Sequence, residues 1–186
     1  MSGRNWVFKI KIKEGGFCMA VIKLVRADFR LIHGQVVTKW IRQSGVNRIL
    51  IIDDLLYGDD FMMNIYRMSA PTGFPVEVLS KDEAVKQWKD SRLGSGAIFL
   101  LIRDVKTIYQ CVEEGLCIDE LQIGGLGDAP GRVKVYGPIT LNDEDASMLA
   151  RLQAKGVKVV FHQVPEEPSV TFDKIQGKFS FKLESL

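Results

Sequence analysis

Val25-Arg26-Ala27-Asp28-Phe29-Arg30-Leu31-Ile32-His33-Gly34-Gln35-Val36-Val37 is the stretch whose reading decides the fold. The apolar run that leads into it, Val21-Ile22-Lys23-Leu24-Val25, reads as a buried strand over 21–25. Beyond it, Val36, Val37, Trp40 and Ile41 are spaced to form one face of a helix predicted over 33–43. A strand is thus followed by a charged loop with two arginines and an aspartate, and a histidine stands at the mouth of a helix. Helix N-termini present unpaired N–H groups and the positive end of a dipole, and both attract phosphate. A histidine placed there, beside arginines, is suited to carry a phosphoryl group.

Working outward, strand-like and helix-like segments alternate. Arg48 to Ile52 is a continuous apolar strand, and Asp59 to Ser69 reads as a helix with Phe61, Met62, Ile65 and Met68 turned inward. Ala70-Pro71-Thr72-Gly73 breaks the chain before a short strand over 76–79. Ser80-Lys81-Asp82-Glu83 is a capping box, opening a helix that buries Ala84, Val85 and Trp88. A strand over 97–102 is followed by a helix capped by Asp104, and a strand over 120–123 stops at Gly124-Gly125-Leu126-Gly127. The segment 134–136 is a brief extended arm. A helix over 142–155 then leads to a strand over 157–161 and a short helix near 169–176. Such alternation implies βαβ crossovers: an open, mainly parallel α/β sheet with helices on both faces and an antiparallel strand at its edge. Ligands in such sheets sit at the carboxyl ends of the strands, so His33 and the glycine loop are expected to line one crevice.

Composition narrows the function classes. The chain has 186 residues, 46% hydrophobic and 26% charged, which suits one globular domain with a sizeable core. A net charge of +2, with Lys and Arg scattered among nearly as many Asp and Glu, gives no footprint for nucleic acid. No apolar run approaches the roughly 18–20 residues of a membrane span. Cys18, Cys111 and Cys117, with two histidines, form no metal-ligand spacing, and so sparse a set points to reduced thiols in the cytosol.

Residues 1–18 stand apart. They lack a signal-peptide layout, and Trp6 to Lys13 alternates as an edge strand would. Glu14-Gly15-Gly16 can be encoded with AGGAGG, a bacterial ribosome-binding sequence, at a normal distance upstream of Met19. The expectation is that translation begins at Met19, with 1–18 a leader and 19–186 a single domain.

The candidate chemistry centres on His33. Gly34 removes bulk beside the imidazole, Arg26 and Arg30 offer forked donors for phosphate oxygens, and Asp28 can hold one ring nitrogen and leave the other as nucleophile. Gln35, Gly124 and Gly125 complete a candidate phosphate-binding set through backbone N–H groups near the helix start and the glycine turn. The glycine turn matches neither a dinucleotide fingerprint nor a Walker loop. Asp53-Asp54 is a paired carboxylate at a strand end, a weak candidate for Mg²⁺. His162 reads as a structural histidine, and Cys111 and Cys117 as packing residues.

The core Arg26-x-Asp28-x-Arg30-Leu31-Ile32-His33-Gly34-Gln35-Val36, with Trp40, resembles the signature of the IIB component of the mannose/fructose/sorbose family of the bacterial phosphoenolpyruvate-dependent sugar phosphotransferase system (PTS). The strand 49–53, the Ala70-Pro71 break, Gly124-Gly125 and the segment 155–165 follow in the order that resemblance requires. It implies that His33 accepts a phosphoryl group from phosphohistidine on a IIA component. It implies passage of that group to a sugar of the mannose, fructose, sorbose or amino-sugar class, carried by membrane IIC and IID components. A phosphotransferase of this kind needs no cofactor and no metal, works in the cytoplasm at the inner face of the membrane, and leaves self-association open. Two positions depart from the family pattern: Phe29 stands where an acidic residue is common, and Leu126 where methionine is. Two rivals compete with this reading. One is a receiver-like domain phosphorylated at Asp53-Asp54, with Asp104 as third carboxylate but no matching lysine. The other is a regulatory paralogue that keeps the fold without the transfer.

Overall fold

A computed structural model describes residues 19–34 and 36–183. The readings of residues 1–18 as leader or edge strand, of Cys18, and of Gln35 as a phosphate contact lie outside the described residues.

Seven strands form the main sheet: β1 Val21–Asp28, β2 Arg48–Ile52, β3 Val76–Leu79, β4 Ala97–Ile102, β5 Glu120–Gly125, β8 Lys158–Phe161 and β9 Val170–Thr171. Their order is β3-β2-β4-β1-β5-β8-β9. All pairings are parallel except β8 with β9, which supplies the antiparallel edge. A separate hairpin, β6 Val133–Tyr136 with β7 Ile139–Leu141, lies between β5 and β8 in the chain. The helices are α1 Ile41–Gln43, α2 Asp60–Ser69, α3 Lys81–Ser91, α4 Val105–Glu113, α5 Asp143–Ala154 and α6 Phe172–Gln176.

Strand alternation splits the core into two layers. Ile49, Ile51, Phe99 and Leu101 pack with Val36, Trp40, Ile41 and Met63 on one face. Leu50, Ile52, Ile98, Leu100 and Ile102 pack with α3, α4, α5 and α6 on the other. With both faces covered, the central strands read as unbroken apolar runs. Each fully buried aliphatic side chain there contributes about 1.5–3 kcal/mol. Helix starts follow the local chemistry: Asp59, Ser80, Asp104 and Asn142 each accept a hydrogen bond from the backbone N–H three residues on. Among the described residues no helix is long and apolar enough to cross a membrane.

The connection leaving β1 runs through α1 to β2 on one side, whereas the connection leaving β4 runs through α4 to β5 on the other. The neighbouring strands β1 and β4 therefore send their chains in opposite directions on opposite faces, which makes their carboxyl ends the topological switch point of the sheet.

Three expectations are corrected. β1 continues to Asp28, so Arg26 and Asp28 are strand residues rather than loop residues. The helix predicted over 33–43 is present from Gly34, but Val36–Trp40 wind as a π-helix before the single α-turn of α1. Its wider winding lets Val36, Trp40 and Ile41, four and five residues apart, share one buried face. The inward face assigned to α2 is reversed as well. Met63 is buried and Tyr66 and Ala70 pack beside it, while Phe61, Met62, Ile65 and Met68 face outward. Two apolar stripes share this helix, and only packing against β2 and β3 selects between them.

Candidate functional site

Alternation along β1 puts Arg26 and Asp28 on the same face of the sheet, next to Trp40. Asp28 is fully buried and is the hub of the cluster. Its Oδ2 lies 3.1 Å from Arg26 Nη2 and 3.7 Å from His33 Nε2. Its Oδ1 accepts from the backbone N and the Nε of Arg30, both at 3.3 Å.

Arg26 is placed differently from its expected role. It is 1% exposed, and its guanidinium lies over the Trp40 ring at 5.3 Å. Nη1 donates to Gln122 Oε1 at 2.5 Å and to the His162 carbonyl at 2.8 Å, and Nη2 donates to the Gln163 carbonyl at 3.1 Å as well as to Asp28. Burial lowers its pKa, and the Asp28 carboxylate opposes that shift. With its terminal nitrogens bonded to protein acceptors, Arg26 braces Asp28. Arg30 does keep an open side: its side chain is 44% exposed and its guanidinium sits 5.5 Å from the Phe29 ring.

Gly124 and Gly125 are buried residues at the end of β5 rather than part of the turn that follows it. A Cβ on Gly124 would stand 1.8 Å from Arg26 Cζ, and one on Gly125 would stand 2.9 Å from Asp28 Oδ1. Their lack of side chains makes room for the ion pair on the neighbouring strand.

His33 is 16% exposed and neither ring nitrogen has a hydrogen-bond partner. Its pKa is lowered first by burial, against the pull of Asp28 and with the help of Arg30 and Arg26. The neutral imidazole is therefore the form present at neutral pH. Because the folded state disfavours the proton, the associated stability is present above the unfolded value of about 6.5 and is lost as pH falls through the lower folded value. In an NMR titration the His33 imidazole is expected to titrate below pH 6.5; a midpoint above it would contradict this electrostatic account. Gly34 is exposed, and no atom lies within 4 Å of where its Cβ would stand, whereas both His33 ring nitrogens are buried.

Two residues at the site escaped the sequence reading. Leu31 is fully buried with φ of 53°, a left-handed conformation that costs a branched residue about 1–2 kcal/mol, offset by burial of its side chain. Arg103, directly after β4, donates from Nε to Asp53 Oδ2 at 2.5 Å and from Nη1 to the Phe29 carbonyl at 3.1 Å. Burial works against its charge, but the bonds to Asp53 and Tyr66 more than offset it and raise its pKa. A charged residue at the carboxyl end of a predicted strand was the available signal, the same one that drew attention to Asp28.

The remaining candidates lie apart from a shared chemistry. Asp53 accepts from the N–H groups of Leu55 and Leu56, Asp54 accepts from that of Lys81, and Asp104 caps α4. These carboxylates are thus spent on separate loops and do not converge as the receiver-like reading requires. His162 stands edge-on to Trp40 at 4.8 Å, and its Nε2 bonds the Glu167 carbonyl at 2.8 Å, as a structural histidine would. Cys111 is buried, which pushes its thiol up to about 12, whereas Cys117 is exposed rather than packed.

Fold and site together define an α/β protein whose polar groups gather at the switch point of a parallel sheet, around a histidine, an aspartate and two arginines. The family described as PTS system sorbose subfamily IIB component matches residues 22–185. The sorbose-specific EIIB component of Klebsiella pneumoniae is 33% identical over 155 residues, which cover 83% of this chain and 94% of the relative. The crystal structure of manxB from Thermoanaerobacter tengcongensis is 34% identical with a TM-score of 0.81, covering 87% of this chain and 98% of that one. The mannose-specific EIIAB component of Escherichia coli (strain K12) is 26% identical over 150 residues, 81% of this chain and 46% of that longer protein. The chain belongs to the sorbose-subfamily IIB components of the sugar phosphotransferase system. Such IIB components are phosphotransferases that serve sugar uptake and work with IIA and membrane IIC and IID components.

Proposed function

We propose that this chain is a single IIB domain, residues 19–186, whose His33 accepts a phosphoryl group from phosphohistidine on a IIA component and donates it to a sugar. The sugar, of the mannose, fructose, sorbose or amino-sugar class, is carried by the IIC and IID components, so the domain works at the cytoplasmic face of the membrane. The observation that carries the reading is the neutral, unpartnered imidazole of His33 beside the Asp28 carboxylate, at the switch point of the sheet.

Asp28 lies on the Nε2 side of the ring, so Nε2 keeps its proton and Nδ1 presents its lone pair. Nδ1 attacks the phosphorus as the bond to the donor imidazole breaks, and the electron pair of that bond stays with the donor nitrogen. The His33 ring turns cationic as the new bond forms, and the buried carboxylate 3.7 Å away stabilises that charge. Arg30 and the Gly34 N–H meet the phosphoryl oxygens, while Arg26 holds Asp28 in place from behind. Transfer to the sugar reverses the sense: a sugar hydroxyl oxygen attacks the phosphorus, the Nδ1–phosphorus bond breaks, and the hydroxyl proton passes to solvent or to a membrane-component base. Phosphoryl transfer asks for alignment and charge stabilisation rather than further covalent help.

The test is incubation with a phosphorylated IIA component followed by mass spectrometry of the digested chain. One phosphoryl group on the peptide containing His33, labile to acid and stable to base, is expected. An acid-stable label, or a label on the peptide with Asp53, would overturn the reading in favour of another acceptor.

A further inference from the structure

The structure assigns Arg103 as a positioning residue that fixes the loop carrying His33, a role that rests on the phosphohistidine reading above. Arg103 follows β4 at the switch point and, besides its bond to Tyr66, donates in two directions. Nε is anchored on Asp53, which is itself immobilised by the N–H groups of Leu55 and Leu56 at 3.0 and 2.9 Å. Nη1 then reaches the Phe29 carbonyl. From the opposite side the Phe29 N–H donates to the Gly125 carbonyl at 2.8 Å. The peptide just after β1 is therefore gripped from β4 and from β5 at once.

The turn immediately beyond this peptide depends on that grip. Leu31 N–H closes the turn on the Asp28 carbonyl at 2.9 Å, with Leu31 in the left-handed region. A strained, non-glycine turn persists only where its surroundings over-determine it. Two residues later comes His33. The donors of Arg103 go to Asp53 and to the Phe29 carbonyl, so it acts through the loop. A planar guanidinium can hold Asp53 and the Phe29 carbonyl together, which a single ammonium cannot.

The experiment compares wild type with Arg103→Met and Arg103→Lys. Lysine can keep the ion pair with Asp53 while losing the second arm. In Arg103→Met, hydrogen exchange of the 29–34 amides is expected to quicken while the core strands stay protected. Transfer from the phosphorylated IIA component is expected to lose about tenfold in kcat, with KM changed less than about twofold. Arg103→Lys is expected to recover the thermal midpoint but not kcat. Unchanged loop exchange, a loss confined to KM, or recovery of kcat together with stability in Arg103→Lys would each overturn the assignment. Arg103→Lys decides the matter if Arg103→Met does not fold. Loop exchange is read without turnover, so a wild type that takes no label sinks the phosphohistidine reading and leaves the brace to be judged on its own.

Discussion

Exchange of His33 for alanine is expected to reduce labelling by phosphorylated IIA to background while the protein stays folded. The loss is total because, in the proposed role, the side chain is the covalent carrier and not an accessory to one. The other histidine offers no substitute: His162 Nε2 is bonded to the Glu167 carbonyl and its ring is packed edge-on to Trp40. The fold survives because the His33 ring nitrogens make no hydrogen bond, so their removal strands no buried partner. The carboxylate of Asp28 keeps Arg26 and Arg30, and the thermal cost is about 1 kcal/mol or less. Labelling and a urea melt on the same preparation check both halves. Label at the wild-type level would end the proposed role, and a collapsed melt would instead make His33 structural.

Gly124→Ala is expected to be the most damaging single-methyl change at the site, destabilising by about 3–5 kcal/mol. The new Cβ would stand 1.8 Å from Arg26 Cζ and 2.0 Å from Nη2, so the guanidinium has to leave. Leaving breaks the bonds to Gln122, to the 162 and 163 carbonyls and to Asp28, and strands a buried carboxylate without its main cation. Backbone conformation is not the cause, since Gly124 is not among the residues with positive φ. The reason for glycine here is close approach alone. Chemical denaturation reads the effect directly. A loss below about 1 kcal/mol would mean that Arg26 can be rehoused cheaply and that its network is not what holds Asp28.

The Gly124 expectation depends on residues whose presence was legible in the sequence and whose roles were not. Arg26, Asp28, Arg30 and His33 were picked out from their spacing at a strand-to-helix junction, and the structure gathers the other three around the Asp28 carboxylate. Their division of labour was hidden. A strand that runs on past its predicted end turns Arg26 inward, where its guanidinium lies over Trp40 and between β5 and the segment after β8. Gly124 and Gly125 read as a turn beyond the strand because local sequence cannot report which side chain a neighbouring strand lays across them. Arg103 was passed over for a similar reason. Its partners, Asp53 and Phe29, are 50 and 74 residues away in the chain.

The parallel α/β architecture, the caps at Ser80 and Asp104, and the histidine motif are legible in the sequence alone. All of these are set by period, capping chemistry or short spacing within one segment. Only the tertiary structure decided which stripe of α2 is buried, why β5 carries glycines, and which arginine faces the crevice and which is sealed behind it. Those outcomes depend on contacts between strands that are adjacent in space and distant in sequence. A buried charge takes whatever partners the strand order brings within reach, and that order is a property of the whole chain.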